Sequence, residues 1–334
     1  VDGVFAGGFA GSRNRVDYQG TWRLGGASLP QSVTIAAEYE RQQFESIGPT
    51  AASAQNQTQD NDKGGYGLEY QVRLPSRTAL TLSARRDDNQ LFDDATTYRI
   101  TVAQPLGEQL KLRSSYGTGV ANPTFFELFG FIPGSFDPNP ALKPEKSRGF
   151  DVGADLTFNK DGRLSVTYFN TDLQDEITST FDSATFRSSV ANLAGKSKRH
   201  GVEVEAQYVA SADLTVWVTY TYLDSKQSDG ELEVRRPRDA ASAAITYAPP
   251  TSPGSITLAV DYNGRQQDLD FSGFSAARVN LRDYTLVRLA GTYALTRNWS
   301  LFARVENLLD QDYEEVFSYK PSGRAFFGGV QAKF

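Results

Sequence analysis

The sequence predicts an all-β fold, a transmembrane antiparallel β-barrel, and three observations carry that prediction. Apolar and polar residues alternate with a period of two along nearly the whole chain. The connections between alternating segments are short and long in turn. No stretch approaches the roughly 20 consecutive apolar residues of a membrane helix, with 39% hydrophobic residues and a mean hydropathy of -0.44 over 334 residues.

Alternating rows first cover 14–24 and 31–43. In 66–74, Tyr66, Leu68, Tyr70, Val72 and Leu74 interleave with Gly67, Glu69, Gln71 and Arg73. Similar rows cover 77–87, 96–105, 109–117, 148–158 and 163–172. In 202–208, Val202, Val204, Ala206 and Tyr208 interleave with Glu203, Glu205 and Gln207. Residues 214–222, 240–248, 254–264, 284–295 and 298–307 follow. With the opening and closing segments this makes 15 or 16 strands and no convincing amphipathic helix. The last strand, 323–334, sets Phe326, Gly328, Val330, Ala332 and Phe334 against Ala325, Phe327, Gly329, Gln331 and Lys333.

Short turns fall at 74–78, 159–163, 209–213, 248–254 and 295–298, with long polar connections at 45–63, 118–146, 173–196, 224–234, 265–279 and 308–322. Polar rows such as Glu203, Glu205 and Gln207 suit a water-filled or plugged lumen. A soluble two-layer sandwich accounts for those rows nearly as well. Aromatics near strand ends favour the barrel, because a membrane-interface girdle places them there: Tyr39 and Phe44, Tyr168 and Phe169, Tyr220 and Tyr222.

Composition excludes several chemistries. The chain has no Cys and one His, His200, which removes disulfides, thiolate nucleophiles and Cys/His zinc sites. A net charge of -6 and a pI near 5.1 give no footprint for nucleic acid. His200 enters a strand and reads as an interfacial or lumen-facing side chain, so no enzyme is expected. The opening "VDGVFAGGFAGSRN" has no start Met, basic region or continuous apolar core, so no signal peptide is expected in it. It alternates from the outset, as would a piece of something longer.

Two stretches go beyond pattern. "SYGTGVANPTFFELFGFIPGSFDPNPALKPEKSRGFDVG" (115–153) and "VENLLDQDYEEVFSYKPSGRAFFGGVQAKF" (305–334) resemble the signatures of TonB-dependent receptors, as does "AGKSKRHGVEVEAQY" (194–208). Within that superfamily "ARRDDNQLF" (84–92), "LRSSYGTGVANPTFFELFGF" (112–131), "EVRRPRDA" (233–240) and "LLDQDYEEVFSYKPSGR" (308–324) are similar to the cobalamin receptors of Gram-negative outer membranes. The resemblance implies a 22-stranded barrel, of which residues 1–334 are the last 15 or 16 strands, with an N-terminal plug upstream. It implies active import of cobalamin driven by the TonB–ExbB–ExbD complex through that plug, a surround of outer-membrane lipid, and assembly machinery that reads the terminal Phe334. A ferric-siderophore receptor and a passive porin-like channel are the alternatives.

Among candidate ligand contacts, Arg235 starts a strand at the end of a long loop and matches an Arg near the ligand in the cobalamin receptors, and Arg265 leaves a strand for a loop. Their guanidinium groups donate to amide or phosphate oxygens, or pair with lumen carboxylates. Phe126, Phe129 and Phe131 in the long 118–146 connection offer flat apolar surfaces, to a ligand or to loop packing. No cofactor is expected beyond Ca2+ in extracellular loops. Asp60 and Asp62 are oxygen ligands of that kind, although an Asp-x-Asp in a polar loop is commonly just solvated. The runs Asn139–Glu145 and Asn307–Asp310 read as structural.

Overall fold

The computed structural model describes residues 7–159, 161–273 and 276–333. The first three strands, β1 (Gly8–Leu24), β2 (Gln31–Ile47) and β3 (Gln57–Arg73), each have 17 residues. Then come β4 (Ala79–Asn89), β5 (Ala95–Leu106), β6 (Leu110–Ala121) and one helical turn, α1 (Phe125–Phe129). β7 (Glu145–Phe158) and β8 (Gly162–Gln174) precede a separate hairpin of β9 (Ile177–Asp182) and β10 (Arg187–Asn192). Four more strands follow: β11 (Lys196–Ser211), β12 (Leu214–Lys226), β13 (Asp239–Tyr247) and β14 (Gly254–Asn263). β15 (Gln266–Asp270) and β16 (Ala277–Leu281) pair as a second hairpin before β17 (Tyr284–Ala294), β18 (Trp299–Glu306) and β19 (Ala325–Ala332).

Fifteen strands share one sheet in the order β1 to β8, β11 to β14, then β17 to β19. Neighbours in this sheet pair antiparallel from β1 to β5, and again from β12 through β14 and β17 to β19. No helix among the described residues is long and apolar enough to cross a membrane. The fold class and the strand count agree with the sequence. Phe334, expected to be the assembly signal, lies outside the described residues.

The long connections are where the structure departs from expectation. Only residues 48–56 separate β2 from β3, not 45–63, because "QTQDND" keeps its ladder while polar on both faces. Backbone pairing needs no apolar face, and hydropathy alternation therefore loses sight of it. The expected absence of helix is corrected by α1, one turn with a capping box. Thr124 accepts from the Glu127 amide, and Glu127 accepts from the Thr124 amide at 2.7 Å. The hairpins β9–β10 and β15–β16 occupy two other connections expected to be loops.

The chain divides into two compact units, each described by itself. One gathers the residues up to Gln104 with Ser114–Phe150 and Thr171–Lys198. Its register aligns Val16 with Tyr39, and Ile35 with Leu68, on one face of β1–β3, all exposed. The opposite face is polar. Phe44 belongs there rather than to a girdle, in step with Glu40 and Gln42. The buried apolar cluster is small, namely Leu128, Leu142 and Val190 with Phe129, Phe136 and Ile177 against it. Two Asn side chains hold it: Asn139 donates to the Val190 carbonyl at 2.9 Å, and Asn192 donates to those of Lys143 and Asp175.

The other unit gathers Pro105–Arg113, Asp151–Asn170 and Arg199 onward. Its register sets Leu258, Leu289, Val305 and Phe326 in one row, and Ile256, Gly291, Ala303 and Gly328 in the next. Phe326 is 71% exposed and Ile256 55%. An exposed apolar face continued over four strands belongs against hydrocarbon rather than water. Phe169 lies under Gly201, away from any girdle, since a Cβ at Gly201 would meet its ring. His200 shares the row of Val202 and Val204 and is half-buried.

On the polar face, charged and amide side chains pair two residues along their own strand. Arg85 bonds Asp87, Gln42 bonds Glu40, Gln71 bonds Glu69 and Arg304 meets Glu306 at 3.2 Å, while Arg86 bonds Asp88 in the same way on the opposite face of β4. Residues i and i+2 share a face of a strand, so the pairing is local.

Candidate ligand-binding site

In the first unit, the polar face of β1–β4 carries a connected set of charges. The Glu40 side chain is 1% exposed and takes the Arg13 guanidinium, Lys63 at 2.9 Å and Gln42 Nε2 at 2.6 Å. Glu38 lies between Arg15 at 2.8 Å and Arg85 at 2.5 Å, and Arg85 also holds Asp87 at 2.6 Å. Register explains the fit. Glu38 stands opposite Gly65, and a side chain at Gly65 would strike the Arg85 guanidinium.

Above this wall the Phe-Phe-Glu-Leu-Phe turn brings aromatic rings together. Phe44 stacks on Phe125 at 5.7 Å and on Phe9 at 5.7 Å. Phe126 meets Phe9 edge-on at 5.3 Å and stacks on Phe136 at 4.8 Å. Phe129 is packed on the Leu128 cluster, and the Arg187 guanidinium lies 5.4 Å from the ring of Phe131. Wall and rings enclose a cavity of about 710 Å³, lined among others by Phe44, Asn61, Arg85, Asn89, Asn122 and Phe125. That size suits a ligand site. Asn61 is 4% exposed, and its Oδ1 has no hydrogen-bond partner.

In the second unit, loops are joined through Asp268, which is fully buried. Its carboxylate accepts from Arg235 Nε at 2.8 Å, from the Leu269 amide at 2.8 Å and from the Phe317 amide at 2.7 Å. Burial alone would push its pKa up. The two amides and the guanidinium more than offset this and hold it below the ordinary Asp value. Arg235 sits at φ 58 in a turn before β13, not at a strand start, and its amide donates to the Gln267 carbonyl at 2.7 Å. Arg199 holds Glu233 at 2.8 Å, and Arg278 donates to the Leu232 carbonyl and to Gln267 at 2.7 Å.

Beside these tight pairs lies a cavity of about 680 Å³, where Arg238 is held by the Tyr222 hydroxyl at 2.6 Å and three other cations are loosely held. Arg265 is 83% exposed and meets Asp283 at 3.3 Å, Arg236 reaches Glu233 at 3.7 Å, and Lys226 reaches Asp224 at 3.8 Å. Ser225 lines the same cavity, buried, with a hydroxyl that bonds to nothing.

The structure thus puts Arg265 at a cavity, ties Arg235 into a loop joint, and packs Phe126, Phe129 and Phe131 among loop side chains. Asp60 and Asp62 are on strand β3, across from Gln43 and Arg41, on the face opposite Asn61. Asp62 meets Arg41 at 3.8 Å. Among the described residues no group of three or more His, Cys, Asp or Glu has the spacing to hold a metal ion. Sequence alone does not single out Asn61, Ser225 or Asp268, because burial leaves no trace in a residue pattern.

The family description "TonB dependent receptor-like, beta-barrel" matches residues 3–308. The chain belongs to this family. It is 29% identical over 257 residues to the vitamin B12 transporter BtuB of Photobacterium profundum, a match that covers 75% of this chain and 40% of that protein. Among solved structures it resembles the siderophore receptor PirA of Acinetobacter baumannii, with a TM-score of 0.82 and 16% identity. That alignment covers 98% of this chain and 55% of PirA. A variant of the ferric enterobactin receptor PfeA of Pseudomonas aeruginosa gives a TM-score of 0.80 at 19% identity, over 97% of this chain and 54% of that one. The chain therefore spans about half the length, or less, of these relatives. The solved structures establish the fold of a TonB-dependent receptor barrel.

Proposed function

We propose that this chain is the barrel part of an outer-membrane receptor of a Gram-negative bacterium that imports cobalamin, one barrel domain across residues 1–334. The observation that carries this reading is the 29% identity to a vitamin B12 transporter over three quarters of the chain. The chambers supply what capture of a large polar ligand needs, flat aromatic surfaces in one unit and hydrogen-bond donors in both. Arg265 faces the second cavity and is a ligand donor. Arg235 acts by holding its loops in place. Phe126, Phe129 and Phe131 do not line the first chamber and act by packing the segment that carries Phe125, against Phe9 and Phe136, Phe125, and Arg187 in turn.

Uphill import needs energy that a barrel does not hold. It comes from the TonB–ExbB–ExbD complex, acting through a plug that this chain does not include. Lipid covers the apolar face, and the assembly machinery reads Phe334. No step of catalysis is assigned to any residue. Calcium binding belongs to oxygens on the extracellular side, with Asp60 and Asp62, on strand β3 rather than in a loop, as candidates.

Retention of cobalamin by the full-length receptor, purified from membranes with and without calcium, tests this. A corrin absorbance band co-eluting at about one per receptor is the expected result. A second reading, uptake of a ferric siderophore, is favoured by the loosely paired Arg265, Arg236 and Lys226, which suit an anionic chelate. Retention of a ferric chelate with no corrin band would replace the first reading by the second.

A further inference from the structure

We infer that the chamber of the first unit is a subsite for an uncharged carboxamide carried on a flat apolar body, and that Asn61 is the residue that selects it. This rests on the import reading and narrows the class of ligand. Three features point to it.

The first is the free acceptor. Asn61 lines the cavity, is 4% exposed and leaves Oδ1 unbonded. Buried carboxamide oxygens are nearly always satisfied, so an unbonded one facing a cavity calls for a donor from outside the wall.

The second is neutrality. Arg13, Lys63 and Arg85 stand against Glu38, Glu40 and Asp87, and every one of these six is engaged in an ion pair. A cationic donor such as an ammonium would lose its water and find no carboxylate free to receive it, and an anion would find no free cation. An uncharged donor meets no such cost. A primary amide both gives and accepts, so it pairs with the Asn61 carboxamide in both directions.

The third is shape. Phe44 and Phe125, stacked at 5.7 Å, line the cavity together with Asn61 and Gln42, and Phe44 shares the face of β2 that carries Gln42. Gln42 gives its amide hydrogens to Glu40, and Asn122 donates to Asn89 at 3.2 Å. These three carboxamides already have partners, whereas the Asn61 oxygen has none.

The test uses the full-length receptor with cyanocobalamin and with derivatives in which one peripheral amide is hydrolysed to a carboxylate. Wild-type receptor should bind at least one monoacid about tenfold more weakly than the parent, the usual scale for a mispaired buried hydrogen bond. Asn61→Leu should lower affinity for the parent about tenfold and abolish that preference. Asn61→Ala provides a second variant if Leu is not accommodated, with far-UV melting as the check on folding. Parent and monoacids binding alike, with both variants unchanged, would overturn the inference while the import reading stands. A receptor that retains a ferric tris-catecholate and no corrinoid would overturn both.

Discussion

Among the described residues, each unit contains one carboxylate residue with no exposed surface, Glu40 and Asp268, and the two are satisfied in opposite ways. Glu40 is held by side chains from three adjacent strands, Arg13 on β1, Gln42 on β2 and Lys63 on β3. Asp268 is held mainly by backbone amides, those of Leu269 and Phe317, with one guanidinium from Arg235. The Glu40 partners are set by the register of three strands that each run for 17 residues. Apart from Leu269, its neighbour on β15, the Asp268 partners come from separate loops, which have no such register. In the first unit the ladder positions the charges. In the second, the charge positions the loops.

Removing each carboxylate should therefore fail differently. Glu40→Ala leaves Arg13 and Lys63 facing each other without a counter-ion and should cost on the order of 3 kcal/mol in denaturant unfolding. Its loss should be global, with no selective exposure of loops. Asp268→Asn should cost less, roughly 2 kcal/mol, since one oxygen still accepts an amide while the Arg235 pair is lost. Limited proteolysis should then cut within 308–322 and 227–238 first, before any strand opens. Uniform digestion would show that the Asp268 joint does not order those loops.

Acid offers the same contrast without mutation. The Asp268 carboxyl is held below its ordinary value, so its contribution is complete above the unfolded pKa, near 4. That contribution is lost as pH falls from there through the lowered folded value. Loop cleavage by an acid-active protease should rise over this window in the wild type and be flat in Asp268→Asn. The smallest effect belongs to Arg265→Ala, which removes one exposed pair and should shift stability by about 0–1 kcal/mol. Ligand retention should nevertheless fall, and an unchanged affinity would remove Arg265 from the site.

The strands are legible because a two-sided environment forces a two-residue period, and Glu203, Val204 and Glu205 cannot satisfy both faces any other way. Outside the membrane that constraint lapses. "QTQDND" is strand with both faces polar, and by hydropathy it reads as loop. The Thr124-x-x-Glu127 spacing is a visible cap signal, yet a five-residue helix has no periodicity to support it. Of the candidate site, the rings of 125–131 and Arg265 are visible as residue types. Asp268 is not. Its role depends on Phe317, 49 residues away, being folded back onto it.

The pairing of Arg85 with Asp87, Arg86 with Asp88 and Gln71 with Glu69 has a bearing on how such a sheet is put together. A charge whose partner sits two residues along the same chain is neutralised before any neighbouring strand arrives. A segment whose charges pair in this way joins a growing edge already self-compensated, and its joining adds little electrostatic penalty. Glu38 and Glu40 are among the exceptions, because their cations come from other segments, Arg13 and Arg15 on β1, Lys63 on β3 and Arg85 on β4. The charges of this wall are therefore compensated only when β1, β2, β3 and β4 have all come together.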